Sequence, residues 1–371
     1  MNDQGHVSFF VPNLRIGGAQ RVTVTLANAL QERGYRVDLI VARSGGALTD
    51  DVQDAVRVIE LDPPKTRALG IATSIPGLTS YLVEERPSVM FSQMTYGSLV
   101  ATAARLLGRS ETALFGVEHS EYRTRTSPRI RLVTTMMKYA YRSTNGVIAV
   151  SNGVAESIRN ATTLDLSNVR VINNPVDVDA VRDAGQTTTP HPWLAMDDLD
   201  VVLAVGRFDP RKDYETLIRA FALVHDRKPA TRLIVLGAGP TKEKVHDLVD
   251  ERALTDVVAL PGSVSNPYAY MTRASLLALT SRTEGLPTVL IEALSCGCPI
   301  VSTDCSTGPR EILAHGEYGH LVPVGESDAV ADAICTTLDG AVDAAKLRQR
   351  AEYFGVDRAV AEYESVIDTV C

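Results

Sequence analysis

Short apolar runs alternate with amphipathic stretches along the chain, and this alternation stops once and then restarts. Its first unit is an apolar run at 7–12, a stretch at 19–33 with apolar residues at helical spacing, and a second apolar run at 35–42. A strand, a helix and a second strand in this order form a βαβ unit, and such units build parallel sheets. The chain therefore predicts α/β domains that bind ligands beside the carboxyl ends of their strands.

A segment rich in proline and aspartate, 174–200, separates the two series of strands and predicts a linker. Two sheets joined by one linker predict a cleft between two domains. We expect Rossmann-like domains at 1–178 and 179–352, and a final helix at 353–371 that returns to the first domain. Further strands are predicted at 57–61, 89–93, 113–118, 146–150, 169–172, 201–205, 232–236, 257–260, 276–279 and 299–302, with helices at 214–227 and 241–252.

The net charge of −8 argues against a nucleic-acid partner, because any affinity for a polyanion must come from a local patch. Residues 1–10 show no signal peptide. No run approaches the roughly 18 apolar residues that a membrane-spanning helix needs. We therefore expect a cytoplasmic protein that at most lies on the inner face of the cytoplasmic membrane.

Three of the five cysteines, Cys296, Cys298 and Cys305, lie in one short stretch. The odd total does not indicate a disulfide framework, so a reducing compartment is expected. Their spacing is not the Cys-x-x-Cys of zinc sites, although a metal site stays an alternative. Buried, apolar cysteines are the favoured interpretation, and no metal is expected.

Two glycine-rich turns follow strands. Gly17 and Gly18 precede a helix, where the backbone can approach an anion, although a plain turn explains them equally well. The turn 237–239 resembles a dinucleotide-binding fingerprint, but Lys242 stands where the third glycine belongs. A tight strand-to-helix turn is therefore favoured over a nicotinamide site, which argues against a dehydrogenase.

The segment 206–213 follows a predicted strand and carries cations suited to a diphosphate. Arg207 brings a planar fork and Lys212 a compact charge, so the two side chains can reach one anion from two sides. Asp213 is placed to cap the next helix. A solvated basic turn is the alternative.

The segment 284–292 opens a helix after the strand 276–279. The backbone N–H groups of Gly285, Leu286, Thr288 and Val289 form an anion-binding nest supported by the helix dipole. Glu284 beside this nest can accept two hydroxyl hydrogen bonds, as sugar diols require. Glu292 is placed to accept from a ribose, with a buried structural carboxylate as the alternative.

These blocks, in this order, resemble family GT4 of the retaining glycosyltransferases. The resemblance rests on Glu284-x7-Glu292 with the following 293–301, on Gly206-Arg207 with Lys212, and on the blocks 17–21, 174–177 and 308–312. It covers nearly the whole chain and implies the GT-B fold. Similarity to enzymes that extend lipid-linked oligosaccharides is expected as well.

The resemblance also implies roles for single residues. Arg207 and Lys212 bind the donor diphosphate and stabilise the leaving group, Glu284 holds hydroxyls of the transferred sugar, and Glu292 holds the ribose. Val264, in the loop 262–264, meets the base. His119 lies near the sugar and the acceptor. Gly17 belongs to an acceptor-side glycine loop, with Gly18 beside the donor.

The resemblance implies a hexosyltransferase that acts without a cofactor. Cations aimed at the departing diphosphate lower the barrier as negative charge develops there, which removes the need for a divalent metal. No carboxylate nucleophile is evident, so front-face attack with retention is implied. UDP is expected as the nucleotide because it is common in the family.

The segment 121–142 is basic within an acidic chain. From 128 onward, apolar residues alternate with charges in the pattern of a basic amphipathic helix, which binds anionic membrane surfaces. We expect a glycan acceptor carried on a polyprenyl diphosphate, with a solvated helix face as the alternative. The cations concerned are Arg123, Arg125, Arg129, Arg131, Lys138 and Arg142.

Two other functions remain open at this point. A GT-B UDP-sugar epimerase would share the fold and the donor site but need no acceptor. A non-catalytic nucleotide-sugar-binding protein would bind without turnover. The pairing of Glu284 with two cations disfavours the second alternative, because a binding protein has little need for leaving-group cations.

Overall fold

A computed structural model describes residues 5–62, 70–122, 128–162, 168–188, 191–341 and 343–370. The described chain divides into two compact units. Unit 1 contains the residues up to Pro175 together with those from Val356 onward, and unit 2 runs from Val176 to Gly355. Each unit is built on one sheet, and every strand pair in both sheets is parallel.

Strands and helices alternate along both units. The strands are β1 His6–Val11, β2 Arg36–Val41, β3 Arg57–Glu60, β4 Val89–Gln93, β5 Ala113–Glu118, β6 Gly146–Ala149, β7 Val169–Val171, β8 Asp200–Val205, β9 Thr231–Leu236, β10 Val258–Gly262, β11 Leu276–Leu279, β12 Ile300–Thr303 and β13 His320–Val322. The helices are α1 Gly18–Glu32, α2 Ile75–Glu85, α3 Met94–Gly108, α4 Pro128–Arg142, α5 Asn152–Thr162, α6 Val178–Gly185, α7 Tyr214–Arg227, α8 Lys242–Glu251, α9 Tyr268–Met271, α10 Thr288–Cys296, α11 Pro309–Ile312, α12 Ser327–Asp339, α13 Ala344–Glu352 and α14 Val356–Ile367.

The sheet of unit 1 has seven strands in the order β3-β2-β1-β4-β5-β6-β7. One face packs against α1 and α14, and the other packs against α2 and α3. The last helix belongs to this core, because the ring of Tyr363 meets that of Phe91 edge-on at 4.9 Å between centroids. Burial of such apolar and aromatic surface on both faces is what holds a parallel sheet together.

A buried hydrogen-bond and ion-pair network joins the amino-terminal halves of β1, β2 and β3 to helix α2 in unit 1. The carboxylate of Asp38, which is fully buried, accepts hydrogen bonds from His6 Nε2 at 2.8 Å, Arg57 Nε at 2.9 Å and Tyr81 OH at 2.8 Å. These donors hold the pKa of Asp38 well below its usual range, against the opposing effect of burial. The network therefore fixes the register at the end of the sheet opposite to the carboxyl ends of the strands.

The sheet of unit 2 has six strands in the order β10-β9-β8-β11-β12-β13. Its core is made by apolar side chains of these strands with α7, α8 and α12. Successive strands run outward from β8 on one side and from β11 on the other. The strand order therefore reverses between β8 and β11, which is where open parallel sheets bind ligands.

The segment 174–200, predicted as a linker, connects β7 to β8 and contains a helix that was not predicted. Helix α6 lies inside that segment, and its start is capped by Asp177, whose Oδ1 accepts from the backbone N–H of Ala180 at 2.9 Å. Val178 and Val181 are buried. The prolines and aspartates that suggested a linker flank or cap this helix instead of preventing it.

Candidate functional site

The two segments that flank the strand-order reversal in unit 2 are the loops after β8 and β11. The β8 loop carries Arg207 and Lys212, and the β11 loop carries Glu284. Because β8 and β11 are neighbouring parallel strands, their carboxyl ends open onto the same place. The sheet topology thus brings together two motifs that lie more than seventy residues apart in sequence.

The β8 loop is held in shape by its own side chains. Asp209 Oδ1 accepts from the backbone N–H of Arg211 at 3.0 Å and starts a short helical turn at Pro210–Lys212. Asp213 then takes a left-handed conformation with φ +50°, which turns the chain into α7. The prediction that the Asp213 side chain caps α7 is wrong, because no backbone N–H of the helix donates to it. Its carboxylate instead accepts from Thr216 Oγ1 at 2.8 Å.

Hydrogen bonds tie the β8 loop to the β11 loop. The N–H of Arg282 donates to the carbonyl of Arg211 at 2.7 Å, and Thr280 Oγ1 donates to the carbonyls of Lys212 and Asp213 at 3.1 Å. The Arg282 guanidinium also pairs with the buried Asp213 carboxylate at 2.8 Å. The position of Lys212 relative to the β11 loop is therefore fixed by the main chain as well as by side chains.

Lys212 and Glu284 are in direct contact. Lys212 Nζ lies 2.6 Å from Glu284 Oε1, and Ser281 Oγ donates to the same oxygen at 2.6 Å. Both charged side chains are mostly buried, with exposures of 21% and 13%. Arg207 lies on the same loop but is exposed, and its guanidinium forms no ion pair with any residue that the structure describes. One cation of the pair is thus held by the carboxylate, and the other is free to meet an anion.

Helix α10 begins at Thr288, four residues after Glu284, and lacks a side-chain cap among the described residues. Gly285 and Leu286 are buried before it, and Thr288 is its first residue. An uncapped helix start presents backbone N–H groups and the positive end of the dipole, which suits a phosphate. The structure therefore places an anion-binding feature next to the Lys212–Glu284 pair.

A third loop, after β12, supports this segment. Thr307 Oγ1 donates a short hydrogen bond to the carbonyl of Glu284. Gly308 has φ +93°, and a Cβ there would lie 2.5 Å from Pro287 Cδ and 2.8 Å from the carbonyl oxygen of Gly285. Only glycine fits this approach. Thr307 and Ser281 were not identified as site residues from the sequence. The only signal was that both lie in loops of small, polar residues that follow strands.

The turn 237–239 has a packing role. A Cβ on Gly237, at φ +146°, would lie 1.9 Å from the carbonyl oxygen of Gly206, and one on Gly239 would lie 2.3 Å from that of Phe208. The glycines are therefore required by the β8 loop that lies against them, as expected for a tight turn. Val264 follows β10 at intermediate exposure, and Glu292 lies in the second turn of α10, also at intermediate exposure.

The remaining predicted residues lie in unit 1. Gly17 and Gly18 stand at the start of α1, which has no side-chain cap among the described residues. A Cβ on Gly18 would meet nothing within 4 Å, so the main chain there faces open space. This start is therefore a second uncapped helix end, on the carboxyl side of β1.

His119 follows β5 in unit 1. Its Nε2 donates to Gln93 Oε1, at the end of β4, over 2.7 Å. Burial lowers the pKa of His119 to about 4, against a smaller opposing effect of Asn174, so the imidazole is neutral at physiological pH. The neighbouring Glu118 is buried and accepts from Thr95 Oγ1 at 2.8 Å and, in a short hydrogen bond, from Tyr141 OH. Burial raises the pKa of Glu118 to about 7.

The basic segment is partly described. Arg123 and Arg125 lie outside the described residues, as do the side chains of Arg129 and Arg131, although their backbone belongs to α4. Met137 and Tyr141 of α4 are buried against unit 1. An exposed apolar stripe on the other side consists of Leu132, Met136 and Tyr139 at 62%, 47% and 68% exposure. Among the described helices, none is long and apolar enough to cross a bilayer.

The three clustered cysteines are buried free thiols. Burial raises the pKa of Cys296 to about 11 and that of Cys305 to about 12, which disfavours the thiolate form that binds metals. In the described part of the chain, no group of three or more His, Cys, Asp or Glu side chains could hold a metal ion. The packing interpretation of these cysteines agrees with their burial.

Two family models match the chain in succession. The model described as Glycosyltransferase Family 4 matches residues 16–180, and the model described as Glycosyl transferases group 1 matches residues 186–354. A Campylobacter jejuni relative, N-acetylgalactosamine-N,N'-diacetylbacillosaminyl-diphospho-undecaprenol 4-alpha-N-acetylgalactosaminyltransferase, is 26% identical over 350 residues, covering 90% of each chain. The lipopolysaccharide core biosynthesis glycosyltransferase LpsE of Rhizobium meliloti is 28% identical over 325 residues, covering 86% of this chain and 84% of its own.

Solved structures show the same fold. The Anabaena protein HepE in complex with UDP superposes with a TM-score of 0.81 at 20% identity, covering 98% of this chain and 100% of HepE. Sucrose-phosphate synthase from Thermosynechococcus elongatus gives 0.79 at 20% identity, covering 98% of each chain. The predicted GT-B fold, with two parallel-sheet α/β domains, is confirmed.

Proposed function

Because this chain belongs to family 4 of the glycosyltransferases, we propose that it moves a hexose or N-acetylhexosamine from a UDP-sugar to a glycan carried on a polyprenyl diphosphate. We propose further that the anomeric configuration is retained and that no metal is required. Glycosyltransfer itself follows from the family. The nucleotide, the stereochemistry, the metal independence and the acceptor are the proposal.

One observation carries the assignment of the donor site, namely the contact between Lys212 and Glu284 at the strand-order reversal of unit 2. In the donor, the sugar is bonded directly to the phosphate. The carboxylate that binds the sugar hydroxyls and the cation that binds the phosphate must therefore lie close together. The 2.6 Å contact between their side chains meets this requirement. The uncapped start of α10 beside Glu284 adds N–H donors for the second phosphate.

The proposed chemistry uses charges that this chain supplies. As the bond between the anomeric carbon and the diphosphate breaks, negative charge grows on the leaving oxygen. Lys212, Arg207 and the N–H groups at the start of α10 stabilise this charge, and fixed donors of this kind lower the barrier without reorganisation. The acceptor hydroxyl attacks from the same face, and its proton passes to the leaving phosphate oxygen.

Unit 1 is proposed to serve the acceptor side. The neutral His119 can donate or accept a hydrogen bond without adding charge near the sugar, since its pKa lies at about 4. The glycine loop at Gly17 and Gly18 leaves a helix start open to an anionic group. The name of the Campylobacter relative specifies a diphospho-undecaprenol acceptor, which supports a lipid diphosphate for this chain.

A direct assay tests this proposal. The purified protein is incubated with a panel of nucleotide sugars and a synthetic glycan–polyprenyl-diphosphate, with and without EDTA. We expect nucleotide release matched by one added sugar on the lipid, an anomeric coupling constant that shows retention, and equal rates in EDTA. Epimerised free nucleotide sugar, or binding without turnover, would contradict sugar transfer. An inverted product would contradict retention. Loss of activity in EDTA that Mg²⁺ restores would contradict metal independence.

We also propose that α4 docks on an anionic membrane surface. Its exposed apolar stripe, Leu132, Met136 and Tyr139, follows helical spacing and lies on the helix that carries the basic residues. A basic helix with such a stripe lies in the membrane interface, where the apolar side chains enter the headgroup region and the cations meet lipid phosphates. Lys138 and Arg142 lie on the same helix.

Vesicle flotation tests the docking of α4. We expect the protein to float with vesicles containing phosphatidylglycerol, and the variant Arg129→Glu with Arg131→Glu to lose most of this binding because of charge repulsion. The matched control reverses Arg86 and Arg252, two exposed arginines elsewhere. If the two variants float equally well, the basic residues of α4 have no part in membrane binding. If the wild-type protein does not float, α4 does not dock on such a membrane.

A further inference from the structure

Tyr214 has a buried hydroxyl group without a hydrogen-bond partner in the described part of the chain. It is the first residue of α7, its ring packs on that of Phe208 at 4.8 Å between centroids, and the residue is 5% exposed. Its hydroxyl forms no hydrogen bond with any described residue. Buried phenols normally find a partner, because an unmet donor in the interior costs free energy. The buried hydroxyl of Tyr214, unpaired among the described residues, therefore suggests a partner that is present only when a substrate is bound.

The hydroxyl lies beside the proposed donor site. It is 3.1 Å from the point where a Cβ on Gly206 would stand, and Lys212 Cε is 3.3 Å from that same point. The hydroxyl and the chain that carries the Lys212 ammonium are therefore neighbours over the end of β8. Burial raises the pKa of Tyr214, and the charge of Glu284 raises it further, so the hydroxyl is close enough to the carboxylate to be affected by it.

In the proposed reaction, Glu284 and the donor diphosphate compete for the Lys212 ammonium. In the structure its ammonium is bound to Glu284 Oε1, whereas a bound diphosphate would attract the same ammonium toward two negative charges. As the ammonium turns to the diphosphate, the mostly buried carboxylate of Glu284 keeps only Ser281 as a described side-chain donor. A carboxylate that loses a donor in such surroundings is both destabilised and less well oriented.

We propose that Tyr214 is a positioning residue whose hydroxyl donates to Glu284 when Lys212 turns to the donor diphosphate, so that the carboxylate stays aimed at the sugar hydroxyls. This inference rests on the proposed donor site and assigns a new role within it. A phenol suits this role because it stays neutral, so it adds a donor beside Glu284 without competing for the phosphate.

The variant Tyr214→Phe tests the inference, because it removes the hydroxyl and keeps the ring. We expect kcat/KM for the nucleotide sugar to fall about tenfold, as for loss of one hydrogen bond to a charged group, with most of the loss in kcat. The affinity for UDP alone should fall less than kcat/KM, since UDP also draws Lys212 away from Glu284 but lacks the sugar that Glu284 holds. The melting temperature should not fall, because the lost hydroxyl bonds to none of the residues that the structure describes.

Tyr363→Phe is the matched control, since Tyr363 is equally buried but lies in the core of unit 1. We expect it to leave kcat/KM unchanged. A double-mutant cycle with Glu284→Gln should show that the two losses do not add, because the hydroxyl acts through that carboxylate. Normal turnover in Tyr214→Phe, additive losses, or an equal drop in UDP affinity would each overturn the inference.

These outcomes are distinguishable from failure of the donor site itself. If Lys212→Ala and Glu284→Ala are inactive while Tyr214→Phe is normal, the donor site stands and the role of Tyr214 falls. If Lys212→Ala and Glu284→Ala are both active, the donor site is misplaced, and the role of Tyr214 falls with it.

Discussion

Replacing Lys212 with alanine is expected to lower turnover by about 100-fold or more, in line with the loss of a single contact made in the transition state. The ammonium is the proposed partner of the charge that develops on the departing diphosphate. Its removal also deprives Glu284 of its cation. We therefore expect weaker binding of UDP together with the loss in kcat, measured by steady-state kinetics and isothermal titration calorimetry.

Arg211→Ala is the control for this variant. Arg211 is the preceding residue, it is exposed, and its side chain pairs only with Asp209 among the described residues. The same change in net charge is thus made one position away, outside the proposed contact. Similar activities for Lys212→Ala and Arg211→Ala would mean that a general loss of positive charge, and no specific contact, explains the effect.

Replacing Glu284 with alanine should reduce turnover by a similar factor of about 100 but, unlike Lys212→Ala, should not weaken nucleotide binding. The carboxylate is proposed to hold the transferred sugar, so its loss removes orientation of the reacting group. At the same time it releases the Lys212 ammonium from the 2.6 Å ion pair. UDP should therefore bind as tightly as before or more tightly, because the cation no longer has to leave a partner.

Glu215→Ala controls for loss of a carboxylate near the same loop, since Glu215 lies in the first turn of α7 and pairs with Arg219 and Lys244. We expect it to keep near-normal kcat and UDP affinity. If Glu284→Ala keeps the wild-type rate, Glu284 is not the group that holds the sugar. If Glu284→Ala weakens UDP binding as Lys212→Ala does, the ion pair contributes to binding of the nucleotide and not to holding the sugar.

The regular elements were predictable because their signals are local. The strands 89–93, 113–118 and 276–279 and the helix 214–227 have the predicted bounds, since each is a continuous apolar run or an amphipathic stretch with clear ends. Helix α6 was missed because prolines nearby outweighed a short apolar pattern. The resemblance to family GT4 is confirmed by the family models.

The site was predictable only in part. The proximity of Lys212 and Glu284 follows from sheet topology, which the alternating pattern and the family resemblance both indicate. The hydrogen bonds from Arg282, Thr280 and Thr307 that hold the loops depend on which loops lie side by side in space. No repeating pattern of residues in the sequence indicates such contacts between distant loops. The unmet hydroxyl of Tyr214 is likewise visible only in the packed core.

The close main-chain contacts at the strand ends of unit 2 restrict how this enzyme can be redesigned. Any side chain at position 237 or 308 would collide with a neighbouring carbonyl, at 1.9 Å and 2.8 Å from the added carbon. Relief would require moving whole loops, including the one that carries Lys212. Mutant libraries intended to change the accepted sugar should therefore keep these glycines.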